Sequence, residues 1–270
     1  MTEQSIRTGN DLLSGLAAAL VEGIVQVVDL THPLTETTPV IELPSQFAPN
    51  PHFKLTELSR YDERGPVSYK NAIETGEHVG THFDAPVHWV TGRAGLSVDE
   101  IAMEQLVAPA YVIDKTAEAE EDPGCWLTAE DVRLFEEEHG ALAPGSWLLL
   151  RTGWANRHDS QELFLNESIW PGPDMECARY LAASGIVGFG TEAVGIDHGA
   201  GGRLDPPFPA HYYLLGAGKF GLASLANLDL LPATGALLVA APLRIAGGSG
   251  SSMRAFAFTG VTFDTDADDG

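Results

Sequence analysis

The chain has little cysteine, little positive charge and no long uninterrupted apolar run. Its two cysteines, Cys125 and Cys177, show neither disulfide-framework spacing nor the pairing of a thiolate metal site. Reduced thiols in a cytoplasm are therefore expected. Only 15 Lys and Arg stand against 38 Asp and Glu in 270 residues, a formal net charge of −23. That balance excludes nucleic acid or an anionic membrane bound through a basic face. Residues 12–28 come nearest to a targeting signal or a membrane span. Glu22 interrupts them, no basic cluster precedes them, and they fall short of the roughly 20 apolar residues a span needs. Leu12, Leu13, Leu16, Leu20 and Ile24 recur at helical spacing instead, with Asn10 or Asp11 as a candidate cap. An amphipathic helix within residues 1–25 is expected, a natural interface element, and no secretion.

Apolar residues make up 44% of the chain, enough for one large domain with a sizeable core. Strand-like runs occur at 24–30, 107–113, 147–150, 186–190, 237–241 and 256–261. Helix-like stretches lie between them. Thr128 precedes 129–138 with Asp131 three residues on, close to a capping box, and Asp174 opens 175–183. Strands alternating with helices predict an α/β domain over 26–262. The acidic stretch Glu118–Asp122 reads as a solvated loop, and 263–270 as a frayed acidic tail.

The densest chemistry is His-Val-Gly-Thr-His-Phe-Asp-Ala-Pro-Val-His, residues 78–88, which holds three of the nine histidines. His78, His82 and Asp84 are the imidazole and carboxylate donors that a divalent metal takes in a catalytic site, with a position left for water. On a straight strand His78 and Asp84 would stand roughly 20 Å apart at about 3.3 Å per residue, whereas metal donors converge to about 2.0–2.2 Å from one ion. The segment must bend between the first two ligands, and Gly80 permits it. Pro86 stiffens the backbone after Asp84. A histidine-rich surface turn is the competing reading. His88, four residues past Asp84, is placed as a base rather than as a ligand.

The string His78-x-Gly80-Thr81-His82-x-Asp84-Ala85-Pro86-x-His88 resembles the signature of the cyclase-like metal hydrolases, which include bacterial kynurenine formamidases and isatin hydrolases. The resemblance extends to residues 28–34, to Arg151-Thr152-Gly153-Trp154, to Pro209-Ala210-His211 and to residues 225–232, so it covers roughly 26–260. Lys219–Leu225 and Gly247–Ser251 look most like the isatin hydrolase branch. The resemblance implies a single α/β domain of the swivelling β/β/α type, with a mixed sheet and flanking helices. In formamidase-like members a glutamate before the Leu-Ala-Asn-Leu-like string helps to hold a second metal. Here Ala223, followed by Ser224, stands in that place, which implies one divalent ion per chain and frees His211 for substrate or water. The implied substrate is a small aromatic cyclic amide, isatin opened to isatinate, in a homodimer or higher oligomer.

On this reading the ion lowers the pKa of bound water toward about 7, and His88 moves the proton to the leaving nitrogen. Trp89, tied to the motif, and Phe220 are the expected stacking walls, with Trp154 and Phe83 as further aromatics. His211 contacts a substrate oxygen, and Ser224 either orders a water or bonds its own backbone. Residues 199–209, rich in Gly and Pro, form either a lid or a crossover loop. Mn²⁺ is favoured and Zn²⁺ is the alternative, since nitrogen and oxygen ligands suit both. Three other functions compete: an arylformamidase acting on N-formylkynurenine, a non-haem iron oxygenase using His82, Asp84 and His211, and a non-catalytic metal-binding module. The oxygenase leaves His78 and His88 without a role, and the module has no need of His88.

Overall fold

The computed structural model describes residues 9–41 and 48–261. The acidic tail expected at 263–270 and the first eight residues lie outside the described part. Helix α1 (Gly9–Val21) is exposed along its length and leads into β1 (Val25–Asp29). Because α1 already includes Gly9, Asn10 and Asp11 lie within its first turn, and Ile24 lies past its end.

Strands β2 (Lys54–Asp62) and β3 (Gly65–Glu74) pair with each other as a separate two-stranded antiparallel hairpin. The metal motif then supplies the three-residue β4 (His82–Asp84). The α/β segment continues as β5 (Val107–Asp114), α2 (Thr116–Glu121), β6 (Trp126–Leu127), α3 (Ala129–His139), β7 (Trp147–Arg151), α4 (Gln161–Leu165), β8 (Gly172–Pro173), α5 (Met175–Ala183) and β9 (Gly188–Thr191). The chain closes with β10 (Phe220–Ala223), β11 (Ala236–Val239), β12 (Gly250–Ser252) and β13 (Phe256–Gly260). Among the described residues, nine strands form one sheet in the order β1-β13-β11-β5-β7-β9-β10-β4-β12. β5, β7, β9 and β10 run parallel, and the other pairings are antiparallel.

Strand β7 explains the layering. Alternate side chains leave opposite faces of a strand. Trp147 and Leu149 enter a core with Phe83, Phe220 and Leu222, while Leu148 and Leu150 enter a second core with Val132 and Phe135 of α3 and Leu181 of α5. A strand buried on both faces reads as a continuous apolar run, as Trp-Leu-Leu-Leu does. The capping box at α3 is present: the Thr128 backbone N–H reaches Asp131 at 2.7 Å, and the Asp131 N–H reaches Thr128 Oγ1 at 3.1 Å.

One expectation fails here. The acidic stretch Glu118–Asp122 is not a loop, because its first four residues belong to α2. Ala119 packs inward, and Lys115 pairs with Glu118 at 3.4 Å and with Asp131 at 3.0 Å. A neighbouring cation and one buried methyl group outweigh the like-charge repulsion.

Candidate functional site

The site lies where β4 is inserted between β10 and β12. Gly80 takes φ +64°, and a Cβ there would meet Leu34 Cδ2 at 2.6 Å, so both the bend and the packing require glycine. The bend returns His78 toward the strand. His82 and Asp84, two residues apart on β4, share a face. His78 Nδ1 comes to 2.7 Å from Asp84 Oδ1, and His82 Nε2 to 3.4 Å from the same oxygen. His78, His82 and Asp84 thus form one cluster of potential ligand atoms.

Hydrogen bonds behind the cluster fix which atoms face inward. His82 Nδ1 lies 2.7 Å from the Gly80 carbonyl oxygen, an acceptor, so Nδ1 carries the proton and Nε2 presents its lone pair. Ser249 Oγ donates to Glu77 at 2.5 Å and thereby accepts from His78 Nε2 at 3.0 Å. That leaves His78 Nδ1 facing Asp84. Two imidazole nitrogens and a carboxylate converge, and the buried Asp84 Oδ2 has no hydrogen-bond partner. Such a set needs a positive charge among its members, a proton on an imidazole or a bound cation, and its nitrogen and oxygen donors suit a divalent transition metal. The glycines opposite make room. Gly221 of β10 and Gly250 of β12 both stand in register with Asp84, and a Cβ on Gly221 would lie 2.8 Å from Oδ2.

Burial raises the Asp84 carboxyl, but the His82 and His78 imidazoles outweigh it and hold the group well below the usual carboxylate range. Burial lowers His82 despite Asp84. His88 sits on a 3₁₀ turn, Pro86–His88, with its ring stacked on His78 at 3.8 Å. Burial pushes it down to about 3, against the pull of Asp84. His211 opens a π-helical turn, His211–Leu215. Its burial opposes charge, yet the hydrogen bond and charge of Asp197, with Asp84 beyond, raise it above its ordinary value. Its Nε2 stands 3.8 Å from Asp84 Oδ2.

Trp89 flanks this histidine with ring centroids 4.7 Å apart, and Phe208 meets Trp89 edge-on at 5.7 Å. Phe220 does not join them. Gly221 and Ala223 face β4's donors, so by strand alternation Phe220 points the other way. It is fully buried against Phe83 and Trp147. Phe83 and Trp154 are likewise core residues. Ser224, buried at φ +52°, hydrogen-bonds through its backbone, its carbonyl accepting from Thr81 Oγ1 at 2.5 Å. The 199–209 segment is a short 3₁₀ turn and then an irregular stretch that carries Phe208 to Trp89.

Asp197, Ser249 and Phe208 were not singled out from the sequence. Ser249 lay in the Gly247–Ser251 stretch, which carried a family resemblance but gave this serine no role. Asp197 stands 14 residues before His211, with no local pattern linking the two.

A model of the "Putative cyclase" family matches residues 28–198. The isatin hydrolase of Roseibium aggregatum is 45% identical over 252 residues, covering 91% of this chain and 96% of that protein. The kynurenine formamidase of Salinibacter ruber is 31% identical over 191 residues, covering 68% of this chain and 77% of its own. A crystal structure of an isatin hydrolase bound to the product analogue thioisatinate superposes with a TM-score of 0.92 at 44% identity, covering 94% of this chain and all of that one. The mixed sheet with its flanking helices is the architecture of these relatives, and the chain belongs to the cyclase family of hydrolases.

Proposed function

We propose that the protein hydrolyses a cyclic amide fused to an aromatic ring, isatin to isatinate, with one divalent ion held by His78, His82 and Asp84. The observation that carries this reading is geometric: the donor cluster His78, His82 and Asp84 has two further imidazoles beside it, His88 stacked on His78 at 3.8 Å and His211 Nε2 at 3.8 Å from Asp84 Oδ2. A divalent ion bound there supplies Lewis acidity, acidifying water and polarising a carbonyl.

The chain's own residues do the rest. His88, neutral at physiological pH, accepts the proton of the attacking water. The water oxygen bonds to the amide carbonyl carbon, the carbon–nitrogen bond breaks, and His88 returns the proton to the leaving nitrogen. His211 turns Nε2 toward the reacting amide, where a proton on that nitrogen would stabilise the oxygen on which negative charge develops. Trp89 and Phe208 flank the ring of the substrate. These are the roles that the sequence reading gave to His88, the acid–base group, and to His211, the contact to a substrate oxygen.

Mn²⁺ or Zn²⁺ satisfies the donors. The exposed apolar residues of the β2–β3 hairpin, Leu55, Leu58, Val67, Tyr69 and Ile73, support a homo-oligomer. No helix among the described residues is long and apolar enough to cross a membrane. A cytoplasmic site is proposed from the two free cysteines.

The test is metal analysis of the purified protein alongside ultraviolet monitoring of isatin ring opening. Near-stoichiometric metal and turnover are expected, both lost in His82→Ala. Turnover of N-formylkynurenine but not isatin would replace the substrate and keep the chemistry. Full activity in metal-free protein would refute the reading.

A further inference from the structure

His211 is held by a buried carboxylate. Asp197 lies just beyond β9, and three donors converge on its side chain. Oδ1 accepts the Ala210 backbone N–H at 2.6 Å, while Oδ2 accepts the His211 backbone N–H at 3.3 Å and is hydrogen-bonded to His211 Nδ1. The Asp197 carbonyl oxygen accepts the Trp170 indole N–H at 2.8 Å, which anchors the main chain from behind.

The two backbone contacts are those of an acidic side chain satisfying the free N–H groups at the start of a helical turn. The third contact adds nothing to that role. An ionised carboxylate only accepts hydrogen bonds, so the ring nitrogen facing it must carry a proton. His211 Nδ1 is therefore protonated whatever the state of Nε2. The ring is also held against flipping, because Nδ1 and the backbone N–H of the same residue bind the same oxygen. Nε2 is left pointing into the site, 3.8 Å from Asp84 Oδ2 and beside the Trp89 ring at 4.7 Å. Without the carboxylate, an imidazole divides between two tautomers and two ring orientations, and only one of the orientations turns Nε2 into the site.

We propose that Asp197 is a positioning residue for hydrolysis: it holds the His211 ring in one orientation, with Nδ1–H bound to its carboxylate and Nε2 turned into the site toward the substrate. This rests on the hydrolase reading and on the part His211 plays in it. Asp197 acts through His211, not through the metal ligands.

Three measurements test it. Nitrogen-15 NMR of the imidazoles in the zinc-loaded protein, with His211 assigned by the loss of its signals in His211→Gln, should show a protonated Nδ1. An unprotonated Nδ1 overturns the proposal. Asp197→Asn keeps an oxygen for the Ala210 N–H but ends the obligatory acceptance at Nδ1. Its kcat should fall about 10–100-fold, the usual effect of losing such a support, with KM changed far less and with metal content and Tm retained. Unchanged kcat, or losses of metal and stability matching the loss of rate, overturns it. Finally, Asp197→Asn combined with His211→Ala should be no slower than His211→Ala alone, since the two changes remove one function. Additive losses would show that Asp197 works independently of His211. If no cyclic amide is opened at all, the kinetic arms fall with the hydrolase reading, while the NMR result still decides the tautomer.

Discussion

The imidazoles of His32 and His158 stack at 3.8 Å with their planes 5° apart, and Nε2 of each is buried without a hydrogen-bond partner. Burial, and then the neighbouring His32, push His158 down to about 4. The folded protein thus binds this proton more weakly than the unfolded chain does. Its contribution to stability is complete above about pH 6.5 and is lost as pH falls toward 4, by up to roughly 3 kcal/mol. His158→Phe keeps a ring against Phe164 and gives up no hydrogen bond at Nε2. It should match the wild type at pH 7.5 and melt about 5 °C higher at pH 5. Equal melting temperatures at pH 5 would show that another group governs acid stability.

Ser249 carries a second expectation. It accepts from His78 and passes the contact to Glu77, so it holds the ligating tautomer in place. Ser249→Ala should weaken metal binding about 10–100-fold, as measured by competition with a chelator, with the fold retained. Unaltered affinity would mean that the sheet alone orients His78.

His88 should separate from the ligands. His88→Ala is expected to retain the metal and to lose about 10²–10⁴-fold in rate. Metal loss in that variant would make His88 a ligand instead of a base.

For the aromatic wall, Trp89→Ala and Phe208→Ala should slow isatin opening more than that of a non-aromatic cyclic imide, each by about 2- to 10-fold. A uniform effect on both substrates would assign these rings to the support of His211 and the loop.

The sequence showed the centre of the sheet and hid its edge. β5, β7 and β9 announce themselves as apolar runs because both of their faces are buried. β4, β10 and β12 have three or four residues each, with two glycines opposite Asp84, and exist only through pairing with distant segments. The β2–β3 hairpin was invisible for another reason: it is largely exposed and irregular in register, its apolar side chains are interrupted by charged ones, and it adds no buried face to the core. The cluster of candidate donors, His78, His82 and Asp84, was legible because the three lie within seven residues of one another. Asp197, Ser249 and Phe208 were not, since each reaches the site across the fold. Phe220 misled because its neighbourhood in sequence was right and its strand parity was wrong.

The position of Asp84 between Gly221 and Gly250 has a consequence for biosynthesis. The donors at 78–84 are complete early in translation, but the walls that converge them arrive with strands more than 130 residues later. A chain arrested before residue 249 lacks Ser249's contact to His78 and one flank of β4. If His78, His82 and Asp84 hold the ion, metal acquisition is then expected to be a late event that follows closure of the sheet edge. Added metal should raise the stability of the full-length protein and leave earlier truncations unaffected.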